Sequence, residues 1–420
     1  MKSYFRNLVF IKKPDFFLSI YKHMKKIKTI QYDIPYTYEN SVNPWLLGAK
    51  DKDQIIKIDG NKITSQYMWS LNIEKRNELL NKVYNYYRNN GFPYERYDDK
   101  FLISNFNKLV KLDDSKVIDE NGFISNYGQI GLPICRHFCY DKFWKASSKT
   151  MKSIEDVFYD DELFIKVLKN RMGWNVSTEG GEVRPYMFSL NDAMIRTGIR
   201  NSGNGYGVSN FRPIIAKYFY KKYLSDCKNP TIYDFSGGWG ARALAALSLN
   251  YNYIAVDPLT HENINELIRF YKDNISDIKC NAVCYNKCSQ DKELYEILPD
   301  NIDLAFSCPP YFDLEVYSKD NTQSYNEYSN YEEWLEKYWR QTIKICYAKL
   351  KQNGKLVFII KDSYGKLNLK DRMENIILEE GFSFIESFQY KTSVNHLSGK
   401  IKSGRNVKNN EYVLTYGKLC

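Results

Sequence analysis

Two short segments contain the residue types and spacings in this chain that could do chemistry. One is 233–240, Tyr-Asp-Phe-Ser-Gly-Gly-Trp-Gly, and the other, about seventy residues later, is 303–312, Asp-Leu-Ala-Phe-Ser-Cys-Pro-Pro-Tyr-Phe. A glycine-rich turn between a strand and a helix lets the backbone approach a ligand and presents the free N–H groups of the helix N-terminus. A Pro-Pro-Tyr turn offers a carbonyl outside any regular ladder and a ring that can stack on a planar ligand. Together the two turns predict a nucleotide-like cofactor held beside a flat substrate ring.

An acidic residue supports the cofactor interpretation of the first turn. Asp257, in Ala-Val-Asp-Pro, ends the next predicted strand, and the number of residues between Gly240 and Asp257 fits one helix plus one strand. In Rossmann-like sites an acid at this place accepts hydrogen bonds from ribose hydroxyls. A dinucleotide fingerprint would need a third glycine at 243, which is Ala, so that class of cofactor is disfavoured. The alternative is a tight turn without a ligand. The candidate cofactor-binding residues from this pattern are Asp234, Phe235, Ser236, Gly237, Gly238, Trp239, Gly240, Asp257 and Pro258.

The second turn suits a reaction at an exocyclic amino group. Such an amine is a poor nucleophile because its lone pair is delocalised into the ring, so a catalyst must grip its two hydrogens with acceptors. A carbonyl freed by proline and a side chain just before the prolines can do this, while an aromatic ring stacks on the base. The pair of turns therefore predicts methyl transfer from S-adenosylmethionine, and the alternative is a structural turn at a strand end. The catalytic candidates are Ser307, Cys308, Pro309, Pro310 and Tyr311.

The order of these motifs resembles the amino-methyltransferases of DNA, of the adenine-N6 and cytosine-N4 type. In particular it resembles the phage and large-virus type with a long N-terminal extension. The resemblance covers about residues 200–420 and rests on Gly-Val-Ser-Asn-Phe at 207–211, Phe-Arg-Pro at 211–213 with Lys217, the glycine turn, Asp-Pro at 257–258, and Pro-Pro-Tyr-Phe at 309–312.

The resemblance implies S-adenosylmethionine as cofactor, DNA as partner and a flipped base as target, with adenine N6 favoured over cytosine N4. It adds Phe211 and Pro213 to the candidate cofactor-binding residues. The family carries Asp, Asn or Ser where this chain has Cys308, and a thiol is a weak acceptor. This departure bears on the rate of the reaction and on the choice between adenine and cytosine.

Charge is distributed unevenly along a chain whose net charge is +10. Residues 1–30 hold eight Lys or Arg against one acid, and residues 391–410 hold five against none. Such clusters fit contact with phosphates, and the alternative is solvated surface charge. The candidate nucleic-acid-binding residues are Lys391, Lys400, Lys402, Arg405 and Lys408.

Cysteine usage and the N-terminus predict a cytoplasmic chain, in the host cytoplasm if the protein is viral. There are nine Cys, and the longest apolar run near the start, 8–11, is too short for a signal core or a membrane span. The spacing of Cys280, Cys284 and Cys288 is not a standard zinc pattern, and 135–139, with two Cys and a His, is more typical of core packing. No metal site is therefore predicted.

Beyond a Gly-rich segment at 198–207, strand and helix patterns alternate, which predicts an α/β Rossmann-like methyltransferase domain. Its sheet should be mostly parallel, with helices on both faces and an antiparallel edge pair formed by 382–390 and 411–416. The predicted domains are a mainly α region at 1–200, which would bind nucleic acid or recognise the target, and a catalytic domain at 201–420. Within the first region, 66–89 and 156–170 are each predicted as one helix.

Three other functions are compatible with the sequence. The same turns serve methyltransferases that act on RNA or on a protein amide. A catalytically inactive DNA-binding protein would explain Cys308, and a Cys308 nucleophile attacking a pyrimidine is a further option. The Tyr-rich stretch 313–330 is predicted either as a lid, with Glu315 and Tyr317 nearest the turn, or as a surface loop.

Overall fold

The computed structural model describes residues 55–125, 128–173, 188–318, 323–364, 366–391 and 411–418. The chain divides into two compact units, Met1–Pro93 with Ile165–Gly198, and Tyr94–Phe164 with Ile199–Cys420. The predicted domain boundary near residue 200 stays a prediction, but residues 94–164 lie in the unit that contains the main sheet. The basic segment 1–30 lies outside the described residues.

The helices are α1 Ser65–Ser70, α2 Ile73–Asn90, α3 Asp99–Lys111, α4 Leu132–Phe138, α5 Tyr140–Phe143, α6 Ile154–Tyr159, α7 Asp161–Arg171, α8 Asp192–Ser202, α9 Pro213–Leu224, α10 Ala241–Leu249, α11 His261–Asn274, α12 Leu294–Ile297, α13 Ser324–Glu327, α14 Tyr331–Trp334, α15 Arg340–Lys349 and α16 Leu369–Glu379. A π-helical turn, Leu335–Trp339, joins α14 to α15. The strands are β1 Lys57–Ile58, β2 Asn61–Lys62, β3 Thr231–Asp234, β4 Asn252–Val256, β5 Ala282–Tyr285, β6 Ile302–Ser307, β7 Leu350–Lys361, β8 Ser363–Tyr364, β9 Leu367–Asn368, β10 Ser383–Gln389 and β11 Glu411–Gly417.

Two helices predicted as single are each divided by a capping residue. The Asn72 side chain accepts a hydrogen bond from the backbone N–H of Lys75 (2.9 Å), so a new helix, α2, begins after Asn72. The Asp160 carboxyl likewise accepts from the backbone N–H of Leu163 (3.0 Å) between α6 and α7. Short polar side chains satisfy the free N–H groups of a helix start, and this preference outweighs the continuous apolar spacing.

The first unit is held by backbone pairing between its two sequence segments. The backbone N–H of Ile56 donates to the carbonyl of Leu190 (2.9 Å), and that of Leu190 donates to the carbonyl of Ile63 (2.8 Å). In addition, the Tyr87 hydroxyl donates to the Asp192 carboxyl (3.2 Å). The β1–β2 hairpin is thereby attached to the loop that leads into α8.

The second unit contains a seven-stranded sheet with the order β5-β4-β3-β6-β7-β11-β10. The strands from β5 to β7 run parallel, whereas β11 is antiparallel to both β7 and β10. The predicted Rossmann-like sheet with an antiparallel edge pair is confirmed. Because β4 and β5 lie on one side of β3 and β6 lies on the other, the winding reverses between β3 and β6. In open α/β sheets the crevice at the carboxyl ends of such neighbouring strands is where ligands bind.

Both predicted site turns leave the sheet at this crevice. The glycine turn follows β3 at Asp234, and the Pro-Pro-Tyr turn follows β6 at Ser307. The central strand β7 carries a fully buried run, 356–360, as expected for a strand covered on both faces. Among the described residues, none of the helices combines the length and the apolar character needed to cross a membrane.

Candidate active site

The carboxylate of Asp234 joins the two turns. It is fully buried, and its Oδ1 accepts hydrogen bonds from the Ser307 hydroxyl (2.7 Å) and from the backbone N–H of Ser236 (3.2 Å). Its Oδ2 accepts from Arg242 Nε (2.7 Å) and from the Tyr253 hydroxyl (2.5 Å). Four donors use the acceptor capacity of one carboxylate, so Asp234 holds the scaffold and has none left for a ligand.

The pair formed by Asp234 and Arg242 is an ion pair inside the protein. The two side chains are 0% and 4% exposed, and the guanidinium also donates to the carbonyl of Ser236. Burial by itself lowers the pKa of Arg242, but the Asp234 carboxylate reverses this, and the pKa is raised overall. Arg242 therefore keeps its charge, and removing Asp234 would leave that buried charge uncompensated.

The glycine turn has the backbone geometry of a ligand cradle. Gly238 and Gly240 have φ values of 58° and 79°, which residues with a Cβ rarely adopt. A Cβ added at Gly237 would come within 2.8 Å of Ile264 Cδ1, so Gly237 is required for packing against α11. Two of the three glycines thus shape the turn, and the third allows the helix behind it to approach.

Asp257 anchors the tip of this turn. One of its carboxyl oxygens accepts from the backbone N–H groups of Leu259 (3.0 Å) and Thr260 (2.8 Å), and the other accepts from Gly238 (2.9 Å). Three of about four acceptor positions are used, and the residue is partly exposed. Unlike Asp234, Asp257 can accept one more donor, such as a hydroxyl.

Around the second turn, Cys308, Tyr311 and Glu411 form a chain of contacts. Cys308 Sγ lies 3.7 Å from the Tyr311 hydroxyl, which donates to Glu411 Oε1 at 2.9 Å. Burial raises the pKa of the Cys308 thiol to about 12, partly offset by the charge of Arg242. The pKa of Tyr311 is also raised, mainly by burial. At neutral pH Cys308 is therefore a thiol and Tyr311 a phenol.

Trp239 of the glycine turn meets the segment after the Pro-Pro-Tyr turn. Its ring centroid lies 5.9 Å from that of Tyr317 and 5.2 Å from that of Phe143, both in edge-on geometry. The Tyr317 hydroxyl donates to Glu315, whose other oxygen accepts from the Tyr206 hydroxyl (2.8 Å). Trp239 and Tyr317 thus bring the two turns together a second time, independently of Asp234.

The described part of the predicted lid is packed rather than free. Val316 exchanges both backbone hydrogen bonds with Ser147 (2.9 Å each), and Lys149 pairs with Asp313. Phe312, directly after the Pro-Pro-Tyr turn, has φ of 54°, a left-handed conformation that is costly for an aromatic residue. Strained backbone of this kind clusters at functional sites, and here it turns the chain sharply behind Tyr311.

Not all predicted cofactor residues face the crevice. Phe235 is 1% exposed and packs beside Tyr233 and Trp339, so it belongs to the core. Pro213 is buried at the first position of α9, whereas Phe211 is partly exposed, with the Arg242 guanidinium 5.5 Å from its ring. The remaining candidates, Ser236, Gly237, Gly238, Trp239, Gly240 and Pro258, lie on the two loops that follow β3 and β4.

Two basic positions singled out in the sequence have structural partners. Lys217 is 3% exposed and donates to three carbonyls at the end of α3, those of Leu109, Val110 and Leu112 (2.8 to 3.1 Å). It caps α3 and takes no direct part in the site. Lys391 pairs with Asp119. The other predicted nucleic-acid-binding residues, Lys400, Lys402, Arg405 and Lys408, lie outside the described residues.

The structure adds four residues that the sequence analysis did not select: Arg242, Tyr206, Phe143 and Glu411. Arg242 could have been identified from the sequence, because it follows the glycine turn by two residues and a cation at that position needs a negatively charged partner. The other three reach the site from distant parts of the chain, so no local pattern marks them. Of the cysteines considered for metal binding, Cys135, Cys139, Cys280 and Cys284 are buried and Cys288 is partly exposed. Within the described ranges no cluster of His, Cys, Asp and Glu suits a metal ion.

No protein-family model and no curated protein matches this chain. Its structure is similar to that of TrmN from Thermus thermophilus, with 14% identity and a TM-score of 0.32, over 49% of each chain, so it spans about half of that protein. It is also similar to a putative RNA methyltransferase from Pyrococcus horikoshii (14% identity, TM-score 0.32, 53% of this chain and 86% of the other). A third similar structure is that of the N-methyltransferase NodS from Bradyrhizobium japonicum (12% identity, TM-score 0.30, 48% of this chain and 85% of the other). Scores this low identify neither a substrate nor a reaction.

Replacing Asp234 by Asn should destabilise the protein by about 3 kcal/mol, because Arg242 would keep its buried charge without a counter-charge. Chemical denaturation measures this change. The control is Glu336→Gln, which breaks an exposed pair with Arg340 and should cost less than about 1 kcal/mol. Equal losses in the two variants would contradict the structural role of Asp234.

Cys308 should react slowly with iodoacetamide near neutral pH, because a thiol with a pKa of about 12 is almost entirely protonated. The sign of the shift predicts a rate that rises about tenfold per pH unit between pH 7 and 10 without levelling off. Mass spectrometry of alkylated peptides measures the rate, and Cys227 is the internal reference because it and Cys308 are both partly exposed. A rate for Cys308 that levels off by about pH 10, as expected for a thiol of ordinary pKa, would disprove the burial argument.

Proposed function

We propose that this chain is an S-adenosylmethionine-dependent methyltransferase that transfers the methyl group to an exocyclic amino group of a DNA base. Adenine N6 is favoured over cytosine N4 as the target. The observation that carries the proposal is the junction of the two turns. Ser307, at the start of the Pro-Pro-Tyr segment, donates to Asp234, at the start of the glycine turn, and Trp239 meets Tyr317. A cofactor loop and an amine-binding loop thus share one crevice of a Rossmann-like sheet.

The residues of the glycine turn fit this cofactor. Asp257 has acceptor capacity left for a ribose hydroxyl, the glycines admit a close ligand, and the indole of Trp239 offers an apolar wall. When bound, the cofactor supplies an electrophilic methyl group on a sulfonium.

The chain itself positions the amine. Pro309 and Pro310 carry carbonyls outside the β-ladder, and Tyr311 supplies a ring beside them, held by its hydrogen bond to Glu411. A base must leave the duplex stack to enter such a crevice. A Cys308 nucleophile is disfavoured, because the raised pKa keeps its sulfur protonated.

A basic surface on α3 favours a nucleic acid over a small molecule. Lys100, Lys108 and Lys111 are exposed on one face of this helix and form no ion pair with a described residue. With Ser104 and Asn107 they line an open groove of about 960 Å³. The acid in its lining, Asp113, is engaged by Ser115. Spaced cations with polar donors between them suit a phosphate backbone.

The decisive experiment is methyl labelling. Purified protein with tritiated S-adenosylmethionine should label DNA, and nucleoside analysis should place the label on adenine N6. Pro309→Ala and Tyr311→Ala should lower the rate at least a hundredfold, since both disturb the grip on the amine. Equilibrium dialysis should show that both variants still bind the cofactor.

Parallel reactions with RNA and with protein separate the alternatives. Label in RNA or protein but not in DNA would support a methyltransferase whose substrate is not DNA. Cofactor binding without transfer to any of the three would overturn the proposed reaction. Absence of cofactor binding would leave an inactive DNA-binding protein as the better description.

The α3 surface is tested by charge reversal. Changing Lys100, Lys108 and Lys111 to Glu should weaken DNA binding at least tenfold at low salt. The slope of log K against the logarithm of the salt concentration should become shallower by about three. The matched control reverses Lys272, Lys279 and Lys292, which are equally exposed but lie elsewhere on the same unit. Fluorescence anisotropy at several salt concentrations measures both, and equal effects would contradict a specific surface.

A further inference from the structure

The site lacks one of the acceptors that its proposed chemistry requires. An aromatic amine needs two acceptors, one for each hydrogen, and the side chain before the prolines ordinarily supplies one. Here that side chain is the thiol of Cys308, a weak acceptor. Its hydrogen-bonding contact is the Tyr311 hydroxyl at 3.7 Å, and it remains protonated at neutral pH.

Two carboxylates act on Cys308 electrostatically, those of Glu411 and Glu315. The hydrogen bonds distinguish between them. Both oxygens of Glu315 are engaged, one by the Tyr206 hydroxyl and the other by the Tyr317 hydroxyl. Glu411 accepts from Tyr311 through Oε1, whereas its Oε2 has no hydrogen bond with a described residue. Glu411 is partly exposed, so Oε2 is open to a ligand.

The position of Glu411 is set by the sheet. It is the first residue of β11, opposite Lys361 on β7, and its carbonyl accepts from the backbone N–H of Tyr390 (2.8 Å). Tyr311, with the Lys361 ammonium 5.7 Å from its ring centroid, lies between Glu411 and Cys308. A carboxylate fixed in this way on a strand is well placed to orient an amine beside Tyr311.

We infer that the carboxylate of Glu411 replaces the missing side chain at 308 as the second acceptor for the amino group of the substrate. This inference rests on the proposed function and names a further catalytic residue for it. One amino hydrogen is bound by Glu411 Oε2 and the other by a backbone carbonyl of the Pro-Pro turn.

The lone pair of the amine forms a bond to the methyl carbon while the carbon–sulfur bond breaks, and its electron pair remains on the sulfur of the thioether product. The nitrogen is left with one excess proton. Glu411 accepts this proton. Because its side chain is partly exposed, it then releases the proton to solvent and returns to the carboxylate form.

Steady-state methyl transfer by the full chain tests the inference. Glu411→Gln keeps the size of the side chain and an oxygen for Tyr311, but it loses the free acceptor and the proton acceptor. We expect kcat to fall at least a hundredfold, with the KM for the cofactor within threefold of wild type. Adding Cys308→Asp to this variant should raise its kcat at least tenfold, because the aspartate provides an acceptor directly before the prolines.

Glu386→Gln is the matched control. Glu386 lies on β10 in the same edge pair and also accepts from a tyrosine, Tyr223, at 3.0 Å, but it is not part of the site. Its kcat should stay within twofold of wild type. Thermal melting shows whether each variant is folded, and Glu411→Met, which has a similar length and lacks both carboxylate oxygens, replaces Glu411→Gln with the same expected loss if the latter is not.

Three outcomes would count against the inference. A folded Glu411→Gln protein with kcat within threefold of wild type overturns it and leaves the proposed function intact. A loss of activity that Cys308→Asp does not relieve reduces Glu411 to a support for Tyr311. A wild-type protein that binds the cofactor and labels neither DNA, RNA nor protein overturns the inference together with the proposed function.

Discussion

The buried carboxylate of Asp234 is the constraint on which the rest of the site depends. It is bonded to the backbone of its own turn, to Arg242 of α10, to Tyr253 of β4 and to Ser307 of β6. The glycine turn, α10, β4 and β6 are therefore held to one point. Since both charges of the ion pair are shielded from water, each partner is costly to leave unpaired, and the network favours the single arrangement that satisfies them all.

This constraint explains why the two turns can act together. Parallel strands place the ends of β3 and β6 at one edge of the sheet, but topology alone leaves the loops beyond them free to diverge. The Ser307–Asp234 hydrogen bond and the contact of Trp239 with Tyr317 remove that freedom. The left-handed Phe312 is tolerated because its ring packs on Tyr331 and Trp334, whose centroids lie 5.6 and 5.8 Å away.

Cys308 gives the second turn a weak hydrogen-bond acceptor at the position where the proposed reaction needs a strong one. A strong acceptor is missing from the turn itself, and β11 brings a carboxylate to the other side of Tyr311. Natural proteins break local rules mainly at functional sites, and the balance is restored by neighbouring elements. The antiparallel edge pair therefore does more than complete the sheet, because it determines what stands beside the second turn.

The sequence by itself determined the alternation of strands and helices, the parallel sheet with its antiparallel edge, and the two turns at strand ends. These features depend on local periodicity and on glycine and proline, whose effects act within a few residues. Only the tertiary structure showed that Asp234 is an internal support, that Lys217 caps α3, and that Phe143, Tyr206 and Glu411 reach the crevice. Such roles arise from contacts between residues up to about a hundred positions apart, and a short sequence pattern carries no record of which distant side chains the packing of a sheet brings together.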